Sequence, residues 1–250
     1  MLYGVPARSL NDISRMRRAG FDFCEIAMAN PGARRMWWES GVMNGGMGKF
    51  FLLAHGPLED NPNDAGYLWN RYLPSLMATV DTLNRMSIRS LNIHLLMDTR
   101  IVSGLVLAEK KRALRELVEY GKKNSVDINL ENLSENAEDL EHVLDEVPHL
   151  GITLDVGHAN LHDPVNKSFS IIEKLGRLIR HAHLHDNFGG GAQADDLHLP
   201  IGDGMVDFTA IITSLSGIGY DGTMTLEVKP EFQRTSLARI KSMVGKIQLP

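Results

Sequence analysis

The sequence predicts an α/β protein built as one (β/α)8 barrel over residues 1–250. Three observations predict it. Eight short apolar runs recur along the 250 residues, bounded by Gly, Asn, Asp or Pro. Longer segments of helical period separate them. The last six runs each reach a His, Asp or Glu at or near their C-terminal end. In such a barrel those ends gather on one face, where active sites sit. A doubly wound open sheet is the alternative, but no glycine-rich phosphate turn follows the first run, which continues as VPARSLN.

Taken in order, the predicted strands are Leu2–Val5, Phe21–Ala27, Phe50–Ala54, Ser90–Ile93, Val126–Leu130, Gly151–Leu154, Ile179–Leu184 and Thr223–Leu226. The first helix starts from a Ser9 cap and runs to about Ala19. The segment after strand 2, MANPGARRMWWESGVMNGGMGK, reads as a lid over a small-molecule pocket. Trp37 and Trp38 would close on a sugar face, and Gly45 and Gly46 would flex. Contact of Arg34, Arg35 and the tryptophans with nucleic acid is the weaker reading, because acidic Glu59, Asp60 and Asp64 follow. Leu76, Val80 and Leu83 mark a helix ending near Met86, with Pro74 near its start. Leu107, Leu114, Leu117 and Val118 mark the next, with Lys122 and Lys123 at its C-terminal end. Shorter helices follow Ser134, Ser168 and Asp207, and a last one follows Pro230.

Composition narrows the function classes. Apolar residues make up 43% and charged residues 23%, ordinary for a globular chain, and the net charge is -5. No broad basic face for nucleic acid is expected. Cys24 is the single cysteine, which excludes an internal disulfide framework and fits a reducing compartment. Without an apolar run of about 18 residues, no membrane span is expected. Without a signal-peptide pattern, a cytoplasmic location is the default. Oligomeric state is open, a homo-oligomer included.

The stretch Arg180–Gly204 holds four of the ten histidines (His181, His183, His185 and His198) and four aspartates (Asp186, Asp195, Asp196 and Asp203). With His55, His94, Glu131, Asp155 and Glu227 at or just after the ends of strands 3, 4, 5, 6 and 8, this composition suits a divalent metal. Each residue alone has a plainer reading, as a hydrogen-bonded core histidine or a helix cap, but such readings explain the whole set poorly. His142 and His149 read as surface residues. His162 and His181 read as structural. Glu25, placed at the end of strand 2, is either a substrate contact or a buried carboxylate paired with an Arg or Lys. Lys229 shares the strand parity of Glu227 and is a candidate contact for a substrate phosphate.

With those residues placed, the chain resembles the xylose-isomerase-like TIM-barrel superfamily. The motifs carrying the resemblance are FCEI (23–26), AHGP (54–57), NIH (92–94), NLEN (129–132), LDVGHAN (154–160), HLHDN (183–187), DLHLPIGDGMVDF (196–208) and YDGTMTLEVKP (220–230). The sugar isomerase and epimerase branch implies a divalent metal (Mn, Mg, Co or Zn) on Glu131, Asp155, His183 and Glu227. Glu131 and Glu227 would be the catalytic proton-transfer pair, on opposite sides of the ion, acting through a metal-bound enediolate. His158 would orient the substrate or a ligand. Glu25, Trp37, Trp38, His185 and Lys229 are the expected substrate contacts, with a small sugar or sugar phosphate as partner. The endonuclease IV branch, the alternative, implies up to three zinc ions, with His55, His94, His158, Asp196 and His198 as further ligands and DNA with an abasic site as substrate. The acidic text GPLEDNPND after His55 and LLMD after His94 depart from that branch.

Overall fold

The computed structural model describes residues 1–46 and 48–247. Eight parallel strands pair in chain order: β1 (Leu2–Ala7), β2 (Phe23–Ala27), β3 (Phe51–His55), β4 (Ser90–His94), β5 (Asp127–Glu131), β6 (Gly151–Asp155), β7 (Ile179–Leu184) and β8 (Thr223–Leu226). β8 pairs with β1 and closes the barrel. The helices α1 (Leu10–Arg18), α2 (Pro31–Glu39), α3 (Ala65–Tyr67), α4 (Leu73–Arg85), α5 (Gly104–Lys123), α6 (Ala137–Glu146), α7 (Ser168–Leu175), α8 (Phe208–Gly217) and α9 (Gln233–Ile247) fill the connections. A π turn, Leu68–Tyr72, leads into α4. Among the described residues no helix is long and apolar enough to cross a membrane.

Strand parity sorts the side chains. Val5, Cys24, Ile26, Leu52, Leu91, Ile93, Ile128, Leu130, Ile152, Leu154, Ala182, Leu184, Met224 and Leu226 are buried in the main apolar cluster with the helix faces. The alternate positions form a hydrogen-bonded polar layer. The Asn92 amide donates to Glu25 (2.6 Å), the Thr225 hydroxyl donates to Glu25 (2.6 Å), and the Thr153 hydroxyl and the Asn129 amide donate to Asn92. Barrel interiors are more often stacked Val, Ile and Leu. Here the layer is polar, and each residue named has a partner within it, with Asn129 Oδ1 alone among their oxygens left without one.

Two residues further along each strand lies the next inward row, at the C-terminal mouth. It contains His55, His94, Glu131, Asp155, His183 and Glu227. Glu25 is therefore corrected: it is the third of five residues in β2, one row below the mouth, and its partners are His181 and His183, not an Arg or Lys.

The segment after strand 2 is also corrected. Pro31–Glu39 is a helix, and it carries Trp37 into the core rather than towards a substrate. Asn30 caps it through Ala33 N–H (2.9 Å), and proline opens it. Trp37 is 2% exposed and its indole N–H donates to Ala27 O (3.2 Å), so it is a core residue. Trp38 is exposed. Arg34 donates to Ser75 on α4 (3.1 Å), which ties α2 down. Glu59, read as part of an acidic loop, is instead buried in an ion pair with Lys110 (2.9 Å). Asn136, two residues after Ser134, caps α6, and α7 begins at Ser168 without a side-chain cap.

Gly157, in the turn after β6, lies against the His185 ring, and a Cβ there would sit 2.1 Å from it. Gly157→Ala is expected to destabilise the protein by about 1–3 kcal/mol through overpacking. A shifted urea midpoint with an unchanged slope reads this out. An unchanged midpoint would show that the ring is free to move aside.

Candidate metal centre

Loops bring the remaining residues to the row of strand ends. The β6–α7 turn carries His158, whose backbone N–H donates to Asp155 (2.6 Å) and whose Nδ1 lies 3.1 Å from Asn132 O. The β7–α8 loop carries Asp196 and His198. Buried Asp186 shapes it by accepting backbone N–H groups from Asn187, Gly202, Gly204 and Val206 at 2.8–3.1 Å. Asp195 accepts from Gly191 and Ala192. Asp203 pairs with Arg239. Of the four aspartates in this stretch, only Asp196 reaches the centre. His142, His149 and His162 are exposed, and His181 is buried against Thr223 and Glu25.

Glu131 is the hub. Its carboxylate oxygens lie 3.1–3.4 Å from His55 Nε2, His94 Nε2, His158 Nδ1 and His183 Nδ1. His183 Nδ1 is also 3.5 Å from Glu227 and 3.7 Å from Asp155. Asp196 lies 3.4 Å from His158 Nε2 and 3.3 Å from His198 Nε2. His185, expected from the sequence to touch substrate, is fully buried. Its Nε2 is 3.1 Å from Asp155 and its Nδ1 3.7 Å from Asp196. That places it among potential ligand atoms, a role the sequence reading missed although its alternation with His181 and His183 marked it as inward-facing.

These separations fit ligands better than hydrogen bonds. Donors bound at about 2.1 Å to one ion sit about 3.0–3.4 Å apart in octahedral or tetrahedral arrangement. Good hydrogen bonds cluster nearer about 2.9 Å. Several of the buried atoms have no hydrogen-bond partner: His94 Nε2, Glu131 Oε1, Asp155 Oδ2, His183 Nδ1, both His185 nitrogens and Asp196 Oδ1. Orphans of this kind are costly without a ligand. Ligand atoms close enough to share an ion group as Glu131, Asp155 and His183; as His55, His94 and Glu131; and as His158, His185, Asp196 and His198. Glu227 groups with Asp155 and His185. The residues present thus fit a divalent metal of borderline character.

Glu25 fixes how His183 presents itself. Its carboxylate lies 3.1 Å from His183 Nε2, while Nδ1 faces Glu131, Asp155 and Glu227. A carboxylate behind a histidine sets the tautomer and ring orientation of a ligand. Burial pushes the Glu25 carboxyl upward, but His183 and His181 outweigh it and hold the group well below its ordinary range. Glu131 is likewise held well below that range by His183 and His94 against desolvation. Asp155 is brought to about 2 by His158 and His185, again against burial. Conversely, burial pulls His55 and His198 down, yet Glu131 and Asp196 respectively raise them to about 9. Glu131, Asp155, Asp196 and Glu227 raise His158 and His183 well above the ordinary imidazole value despite burial.

Beside Glu227 and His198 opens a cavity of about 530 Å³, at the β1 and β8 ends of the mouth. Lys229 lines it.

A family model described as xylose isomerase-like TIM barrel matches residues 13–243. The fructoselysine 3-epimerase of Escherichia coli O157:H7 is 30% identical over 122 residues, which is 46% of this chain and 43% of that protein. The chain spans under half the length of the curated relatives it matches. In solved structures, a D-tagatose 3-epimerase-like protein superposes with a TM-score of 0.81 at 23% identity, covering 99% of this chain and 98% of that one. An IOLI protein with a bound zinc atom superposes with a TM-score of 0.77 at 16% identity, covering 99% and 98%.

The raised imidazoles give a pH prediction. In metal-free protein, a histidine with a raised value stabilises the fold fully below its ordinary value, and that contribution is lost as pH rises through the folded value. Stability of the metal-free protein should therefore fall between about pH 6.5 and 9, the window set by His55 and His198. A metal requires neutral imidazoles, so loading near pH 7.5 should release more than one proton per chain. Calorimetric titration with zinc in two buffers of different ionisation enthalpy measures this. Loading without proton release would contradict the assignment.

Proposed function

We infer the function from the family: the chain belongs to the xylose isomerase-like TIM-barrel family, and we propose that it is a divalent-metal-dependent isomerase or epimerase of a small sugar. The observation that carries this reading is the position of Glu227. It approaches His183 Nδ1 to 3.5 Å and lines the open cavity. It is a candidate ligand that substrate can reach.

Glu131, Asp155, His183 and Glu227 would hold the ion. When bound, a divalent metal polarises a hydroxy-carbonyl and acidifies the neighbouring C–H. Glu227, with a side chain 18% exposed, removes that proton and returns it to the adjacent carbon, giving isomerisation. Glu131, at 1% exposure and ringed by four imidazoles, is held ionised, so in epimerisation it would take the proton from the opposite face while Glu227, in its protonated form, returns one from its own side. His158, anchored by Asp155 and Asn132, orients the substrate side of the site. The relative named as a fructoselysine 3-epimerase and the tagatose-epimerase-like fold support the reaction class. The protein with a bound zinc atom supports metal dependence.

A second reading rests on one specific observation. His55, His94, His158, Asp196 and His198 converge on the same centre, which supplies more ligand groups than one ion needs. That surplus suits phosphodiester hydrolysis at abasic DNA by several zinc ions. Cleavage of an abasic duplex oligonucleotide by the zinc-loaded protein would establish it and displace the isomerase reading.

Under the isomerase reading, Glu227→Gln is expected to lower exchange of solvent deuterium into a ketohexose substrate by at least about a hundredfold, the usual weight of a general base. Proton NMR of the recovered sugar measures this. Exchange at the wild-type rate would remove Glu227 from the proton-transfer step.

A further inference from the structure

The cavity beside Glu227 carries features that metal binding and proton transfer do not use. We propose that it is the subsite for an anionic end group, a phosphate or a carboxylate, on the sugar whose reacting end lies at the metal centre; this rests on the isomerase reading above. At about 530 Å³ the cavity is of small-ligand size.

Parity explains the two cations in it. Arg8 continues the inward row of β1 that begins at Gly4, and Lys229 stands two residues past Glu227 on the row of β8. β1 and β8 are neighbours in the closed barrel. Both side chains line the cavity and both are exposed, and among the described residues neither makes an ion pair. Arg15 also lines it but is committed to Asp12 at 3.0 Å. Asp12 in turn accepts from Ser9 and from the Arg8 backbone N–H, which holds the Arg8 main chain in place.

A second observation points to a ligand. Gln233 lines the same cavity at 3% exposure, and its Oε1 has no hydrogen-bond partner. A buried amide left open in this way suits a hydroxyl next to the anionic group. Gln233 opens α9, a helix of 15 residues, so the positive end of that helix dipole also meets the cavity. Exposed Glu231 lines the cavity and opposes an anion, as do the Asp12 and Glu227 carboxylates that also line it. Asp12 is paired with Arg15, which leaves Arg8 and Lys229 as the cations open to a ligand.

Calorimetric titration of the metal-loaded protein with D-fructose, D-fructose 6-phosphate, D-galacturonate and inorganic phosphate tests this at low salt. D-Fructose 6-phosphate, D-galacturonate or both should bind at least about tenfold more tightly than D-fructose, and the favoured one identifies the end group. The double variant Arg8→Ala/Lys229→Ala should bring that ratio close to one, while Glu231→Gln should increase it. An unchanged melting temperature and metal content would show that the double variant folds. Equal binding of all three sugars, or an advantage that survives the double variant, overturns the subsite even if sugars are isomerised. If no sugar binds but inorganic phosphate binds in a manner dependent on Arg8 and Lys229, the anion subsite stands and the isomerase reading fails.

Discussion

The Glu25 carboxylate is the constraint on which the site depends. It is a charged group inside the barrel with no Lys or Arg against it. Such a charge is tolerated only when its acceptors are filled and a positive group is near. Asn92 and Thr225 fill two acceptor positions at 2.6 Å, and His181 and His183 take the rest. His183 is thereby pinned from below through Nε2, which leaves Nδ1 pointing up at Glu131, Asp155 and Glu227. The polar layer is joined to the row of candidate ligands above it through the Glu25–His183 contact. Replacing any member of the lower layer by an apolar residue would orphan its neighbours.

The upper part of the site is held by the loops, and there the backbone does the positioning. Asp186 gathers four N–H groups from its own loop, and Gly204 allows the close packing, since a Cβ there would meet Asp186 Oδ1 at 2.4 Å. Asp196 and His198 are thus delivered by a loop with a rigid base. His198 itself adopts a left-handed backbone, φ 46°, and its Nδ1 lies 2.8 Å from Glu227 O. A strained residue held against the end of β8 links the loop to the residue assigned to proton transfer.

Much of this was legible in the sequence because strand parity and strand ends are local properties. β7 and β8 are predicted to the residue, and the other six strands to within two residues at each end. The convergence of His55, His94, Glu131, Asp155, His183 and Glu227 follows from a period of two and a closed barrel. Three things were not legible. Glu25 lies two residues before Ala27, the end of β2 in both the prediction and the structure, so it belongs one row below the mouth, and its partners lie more than 60 residues away. Trp37 reads in the sequence as a lid residue closing on a sugar face, but the Asn30-Pro31 signal starts a helix that turns one tryptophan in and the other out. The anion cavity joins the ends of the chain, β1 with β8 and α9, and no local pattern reports that proximity.

We propose that Glu131 is the hub of a metal centre and that its surrounding imidazoles are ligands rather than a hydrogen-bonded plug. Metal content by mass spectrometry, on protein purified without chelator and then equilibrated with zinc, tests it most directly alongside Glu131→Gln. The wild type is expected to hold at least about one ion tightly per chain, and a folded variant to lose at least about tenfold in affinity. A wild-type protein that takes up no ion, or a Glu131→Gln protein that binds as tightly as the wild type, would contradict it.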